Sequence, residues 1–122
     1  MRRDRSIIKN EKSLRTYITP PADLYETPDA YILYIDLPGV TKDNLNIKVV
    51  DNSLVVQGKF DLGLSKESDV LFSELAKGEY RREFMLAGDV DRNKIDAKLV
   101  NGVLILTLGK KEESKEIEIK IQ

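Results

Sequence analysis

Asn101-Gly102, set between the apolar runs Ala97 to Val100 and Val103 to Leu108, constrains this chain more than any other feature. Asn and Gly both tolerate positive φ, as a two-residue type I′ turn requires, so the flanking runs are expected to pair as an antiparallel hairpin. Upstream, Tyr31 to Leu37 is rich in aromatic and branched side chains and stops at Pro38-Gly39, while Leu45 to Val49 alternates strictly between apolar and polar. Asp51-Asn52 then supplies a turn into Ser53 to Gly58, and strand character returns from Glu79 to Leu86. Short strands at regular spacing, with turn residues between them, predict an all-β chain built as an antiparallel immunoglobulin-like β-sandwich.

Two segments do not fit inside such a sandwich. From 60 to 78 the pattern weakens into a long, charged loop whose one strand candidate is Asp69 to Glu74, with Val70, Leu71 and Phe72 as its apolar part. A loop of that length inside a compact domain is uncommon and usually functional. Near the end, Ile117-Glu118-Ile119-Lys120-Ile121 presents one apolar and one charged face, as expected of a strand laid along an apolar groove. The groove belongs either to the chain's own domain or to a neighbour. The intervening Lys110 to Glu116 reads as a solvated hinge, which favours reach over return. Ile117/Ile119 and Ile119/Ile121 are equally available as the anchoring pair.

The first twenty-two residues are chemically distinct. Six basic residues (Arg2, Arg3, Arg5, Lys9, Lys12, Arg15) face two acidic ones (Asp4, Glu11), a net of +4 in a chain of net charge -1. Pro20-Pro21 bars helix at the exit from this arm, so the organisation expected is an arm over 1–21, a domain over 22–110 and an extension over 111–122. Within the arm, Ile7, Ile8, Leu14, Tyr17 and Ile18 form one side of a short helix with Ser6 or Asn10 as cap, or else the arm is mobile.

Composition bounds the function. The 20 Lys and Arg nearly cancel the 21 Asp and Glu, which argues against general attraction to nucleic acid or to a membrane surface. With no His and no Cys, the common general base, the usual nucleophile pairings and most zinc sites are unavailable. Gly58 to Ser65 carries both glycines and the Ser of a P-loop, but Leu64 stands where the phosphate-binding Lys belongs. Asp51, Asp89 and Asp91 lie at turns without a calcium-loop register, and are expected to shape those turns. No catalytic, cofactor-binding or metal-ligating residue is assigned. No apolar run is long enough for a membrane span or signal, so a cytoplasmic setting is expected.

Four boxes in order carry a family resemblance: Asp36-Leu37-Pro38-Gly39-Val40, Gly78-Glu79-Tyr80-Arg81-Arg82-Glu83-Phe84, Ala97-x-x-x-Asn101-Gly102-Val103-Leu104, and the terminal Ile-x-Ile. Together, over about residues 22 to 121, the chain resembles the small heat-shock proteins of microbial type, the α-crystallin domain (Hsp20) family. Leu86-Ala87 and Leu108-Gly109-Lys110 depart from the family's Leu-Pro and Leu-Pro-Lys, which questions the rigidity of those loops.

The resemblance implies an ATP-independent holdase that binds non-native client proteins, assembles as a dimer and then as a higher homo-oligomer, and uses no cofactor. It implies that Ile117, Ile119 and Ile121 anchor in a neighbour's groove lined by Leu45, Ile47, Val49, Ala97 and Leu99. It further implies strand exchange across the dimer through Val70, Leu71, Phe72 and Glu74, with Arg82 near that interface. On the residues alone, any alternating Ile or Val is as readily core as groove, and a one-residue slip reverses every side chain. Two other readings compete: a p23-like co-chaperone adaptor without large assembly, and a carboxylate-based hydrolase.

Overall fold

The computed structural model describes residues 17–61, 77–114 and 117–121. The expected helix at 7–14 and the exchanged strand at 69–74 therefore lie outside the described residues. Among the described residues eight strands form two four-stranded sheets: β1 (Tyr17–Ile18), β6 (Lys77–Met85), β5 (Ser53–Asp61) and β4 (Leu45–Val50) in one, in that order, and β2 (Ala22–Glu26), β3 (Ala30–Asp36), β8 (Val103–Lys110) and β7 (Val90–Val100) in the other. The antiparallel sandwich expected from the alternation is the architecture found. All pairings are antiparallel except β1 with β6, where Tyr17 lies opposite Glu79 and Ile18 opposite Tyr80. This corrects the placement of Tyr17 and Ile18 on a helix face. Pro20-Pro21 favours extended backbone ahead of it, and the free edge of β6 offers hydrogen bonds that a two-residue helix end would not.

The core is the interior of the sandwich. Ile35, Leu54, Val56, Leu104 and Leu106 are fully buried and alternate with outward residues along β3, β5 and β8 as the pleat demands, and Leu37, just beyond β3, is buried with them. Tyr80 joins them against Phe60, with ring centroids 4.7 Å apart, and spends its hydroxyl on the Pro38 carbonyl at 3.0 Å. A buried phenol with its hydrogen bond made adds apolar area without an orphaned polar atom.

The Asn101-Gly102 turn has φ of 49° and 77°, the left-handed geometry that a tight hairpin requires. Its second residue is pinned from behind: the Gly102 carbonyl accepts the Leu37 N–H at 2.6 Å, and a Cβ at Gly102 would stand 3.3 Å from the Pro38 Cα. A branched side chain is thus strained twice. Gly102→Val is expected to cost about 1–3 kcal/mol, seen as a lower urea midpoint at unchanged m-value, with Gly102→Asn losing less because Asn tolerates positive φ.

The departure at Gly109 has a packing reason. Strand β7 bulges between Val90 and Ile95, and the bulge crosses β8 so closely that a Cβ at Gly109 would meet the Lys94 Cβ at 2.8 Å. Asp91 holds the bulge by accepting the Asn93 N–H at 2.9 Å, the turn-shaping role expected of it.

Candidate functional site

Among the described residues strands β4 and β7 are the unpaired edges of their sheets at one flank of the sandwich. The opposite flank is closed by Arg82 of β6 reaching Pro20, which leads into β2, so β4 lies over β7 where the sandwich remains open. A hydrogen bond from Arg92 of β7 to the Asn52 side chain in the β4–β5 turn, 2.6 Å, ties the two edges at one end.

Register decides which side chains face that opening. Leu45, Ile47 and Val49 stand opposite Gly58, Val56 and Leu54, and Val56 and Leu54 are buried, so the three alternate residues of β4 point inward. On β7, Ala97 and Leu99 stand opposite the buried Leu106 and Leu104 and share their face. Leu45, Ile47, Val49 and Leu99 are half-buried and pack on the core, whereas Ala97 is exposed although it faces inward. A methyl group too small to fill its share of the flank leaves an apolar notch between the side chains of Ile95 and Leu99. Ile95 belongs to this set by its inward, half-buried position. The signal was in the sequence, since Ile95, Ala97 and Leu99 are spaced by two.

The three terminal isoleucines are far from any core. Ile117, Ile119 and Ile121 are 76%, 82% and 97% exposed. The segment carrying them is rooted firmly. Lys110 is buried rather than solvated, which corrects the hinge reading at its first residue; the loop proper begins at Lys111 and makes a short 3-10 turn over Glu112–Ser114. Its ammonium donates to Glu26 at 2.7 Å, lies 4.9 Å from the centre of the Tyr31 ring, and its N–H bonds the Asp29 carbonyl at 2.9 Å. The Tyr31 hydroxyl in turn donates to both carboxylate oxygens of Asp89 at 2.9 and 3.0 Å. Asp89 therefore does more than shape a turn.

Two members of this network, Lys110 and Tyr31, are held protonated beyond their ordinary range. The hydrogen bond to Glu26 raises the Lys110 pKa above its ordinary 10.5 despite the opposing effect of burial, and the bond to Asp89 raises Tyr31 above 10.0, aided by burial. The folded chain then holds protons that the unfolded chain gives up, so the stabilisation is complete below about pH 10 and is lost as pH rises through the raised values. The urea midpoint is expected to hold to about pH 9 and decline above pH 10, and to decline less steeply in Lys110→Met.

At the other flank, the half-buried Arg82 donates to the Pro20 carbonyl at 2.7 Å and stands 5.1 Å from the centre of the Phe84 ring. Its guanidinium has no carboxylate partner among the described residues. Beside it a cavity of about 340 Å³ opens between the sheets, lined by Ala22, Leu24, Phe84, Met85, Leu86 and neighbours. Among the described residues strand β2 is the edge of its sheet here, with Leu24 62% exposed. Val70, Leu71, Phe72 and Glu74 lie outside the described residues.

The described residues form a β-sandwich with an apolar flank, an exposed apolar tail and well-bonded polar groups. The model of the Hsp20/alpha crystallin family matches residues 23–122, and the chain belongs to that family, the small heat-shock proteins, which are non-enzymatic. It is 33% identical over 105 residues to small heat shock protein C4 of Rickettsia felis, covering 85% of this chain and 64% of that one. It is 33% identical over 104 residues to a probable 15 kDa heat shock protein of Leptospira interrogans, covering 84% of this chain and 79% of the relative. Among solved structures, HSP18.5 from E. histolytica superposes with a TM-score of 0.65 at 28% identity, over 85% of this chain and 99% of that one. The relatives support a chaperone role over the p23-type adaptor. No helix among the described residues is long and apolar enough to cross a membrane.

Proposed function

We propose that this chain is an ATP-independent holdase that captures partly unfolded proteins and that assembles from dimers into a larger homo-oligomer through its Ile-rich tail. The observation that carries the reading is the contrast between tail and flank: three isoleucines at 76–97% exposure, and an inward-facing but exposed Ala97 on the open edge. Each is incomplete alone, and a neighbour's tail supplies what the flank lacks. Ile at alternate positions of the tail would match the two-residue pleat of the β4 and β7 edges.

The dimer in this reading forms on β2. Its free edge would accept the strand at Val70 to Glu74 from a partner chain, burying Leu24 and satisfying backbone groups that otherwise invite aggregation. Arg82 would then support the interface indirectly, by fixing Pro20 and the entry to β2. Reversible tail release would expose the same apolar flank to clients, so one surface serves assembly and capture.

The test is suppression of aggregation of a heat-unfolded client, followed by light scattering without nucleotide. Near-complete suppression is expected at about one chain per client chain, unchanged by added ATP. Scattering equal to that of the client alone, or a requirement for ATP, would overturn the reading.

A further inference from the structure

The outer face of the β2-β3-β8-β7 sheet holds a shallow depression of about 480 Å³ lined by Asp23, Tyr25, Ile32, Tyr34, Asp36 and Val103. Register brings these together: Tyr25 lies opposite Ile32, Asp23 opposite Tyr34, and Asp36 opposite Val103. The two rings meet edge to face, with centroids 5.7 Å apart at 84°, yet Tyr25 is 58% and Tyr34 37% exposed. The depression thus combines an aromatic and aliphatic floor with two carboxylates and no cation. Neither Asp23 nor Asp36 has a cationic partner among the described residues. The outer face of the other sheet differs, for there Lys48 and Arg81 balance Asp51 and Glu83 around its own hollow.

Such a surface suits a ligand that carries cations among aliphatic side chains. The chain possesses one. Residues 1–16 hold Arg2, Arg3, Arg5, Lys9, Lys12 and Arg15 against Asp4 and Glu11, interleaved with Ile7, Ile8 and Leu14. Charge opposes charge, because the rest of the molecule is acidic. Reach is not limiting: sixteen residues extend to about 50 Å, and a domain of this size has a radius of gyration of about 13 Å. The segment also enters the fold through β1 and Pro20-Pro21 directly into β2, the strand that carries Asp23 and Tyr25.

We propose that the basic segment 1–16 docks on this acid-rimmed tyrosine depression, its cations on Asp23 and Asp36 and over the tyrosine rings, and its isoleucines over Ile32 and Val103. The inference stands independently of the holdase reading, since it requires neither client nor tail. It gives the arm an internal acceptor that salt would loosen.

Zero-length carbodiimide coupling of the full chain, read by peptide mass mapping, tests it directly. Amide links from Lys9 or Lys12 to Asp23 or Asp36 are expected at low salt and should fall several-fold at 0.5 M NaCl. Mixing isotope-labelled with unlabelled chain assigns those links to one copy or to two. As a second measurement, tryptic cleavage after Lys12 and Arg15 should be up to about tenfold faster in Asp23→Lys/Asp36→Lys than in the parent chain, with an unchanged thermal midpoint. Absence of the links, equal cleavage rates, or links to the depression from lysines of the folded domain of another copy would each overturn the proposal.

Discussion

Replacing Ile117, Ile119 and Ile121 together by Ser is expected to reduce a particle of many chains to dimers, as read by size-exclusion chromatography with light scattering. The magnitude follows from burial. Each Ile is worth roughly 1.5–3 kcal/mol when moved out of water, so two knobs supply about 3–6 kcal/mol before the cost of ordering the tail. That is a millimolar-class contact on its own, and one tail cannot hold two molecules together. In a closed assembly each contact becomes intramolecular once its neighbours form, and the same weak contact repeated around the particle holds it. Cooperativity makes the loss steep: removing the knobs leaves nothing for avidity to multiply. Because these side chains are 76–97% exposed in their own chain, the domain should keep its folding stability within about 0.5 kcal/mol of the parent. Equal masses for parent and variant would remove the tail from assembly.

What the sequence reveals and conceals here has a physical pattern. Strands whose identity is set by alternation or by one turn were legible: the Asn101-Gly102 hairpin, Leu45 to Val50, Ser53 onward, and the two-sheet architecture that follows from them. The terminal isoleucines were legible as one apolar face after a charged run, with the owner of the groove left open, and they stand 76–97% exposed. Features decided by distant partners were not legible. Tyr17 and Ile18 carry too short a pattern to separate strand from helix, and only the free edge of β6 makes them a strand. Lys110 reads as surface because a lone ammonium is costly to bury, and nothing local reveals that Glu26, 84 residues away, receives it. Arg82 carries no mark of its use on a proline carbonyl 62 residues away. Likewise, that Tyr25 and Tyr34 meet on the outer face follows only from the pairing of β2 with β3.

Ala97→Arg is the change that separates a receptor flank from ordinary core, a distinction the alternation alone left open for every residue on these edges. Were Ala97 a packed core residue, an Arg there would cost several kcal/mol of stability through overpacking and an unpaired charge. Its exposure on an inward face predicts otherwise: the guanidinium can lie in the notch and reach water, so folding stability should shift by no more than about 0.5 kcal/mol. Assembly should nevertheless fail, because the notch that would seat an Ile is occupied, and the variant should run as dimers like the tail variant. The two defects are complementary. Ala97→Arg keeps its tail and lacks a receptor; the Ile-to-Ser chain keeps its receptor and lacks a tail. Mixed in equal amounts, they should form species larger than either gives alone, because tails of the first enter flanks of the second. A tail that folds back on its own domain could not be rescued across chains, so a mixture that remains dimeric would place the tail in its own flank and leave the larger assembly without its proposed basis.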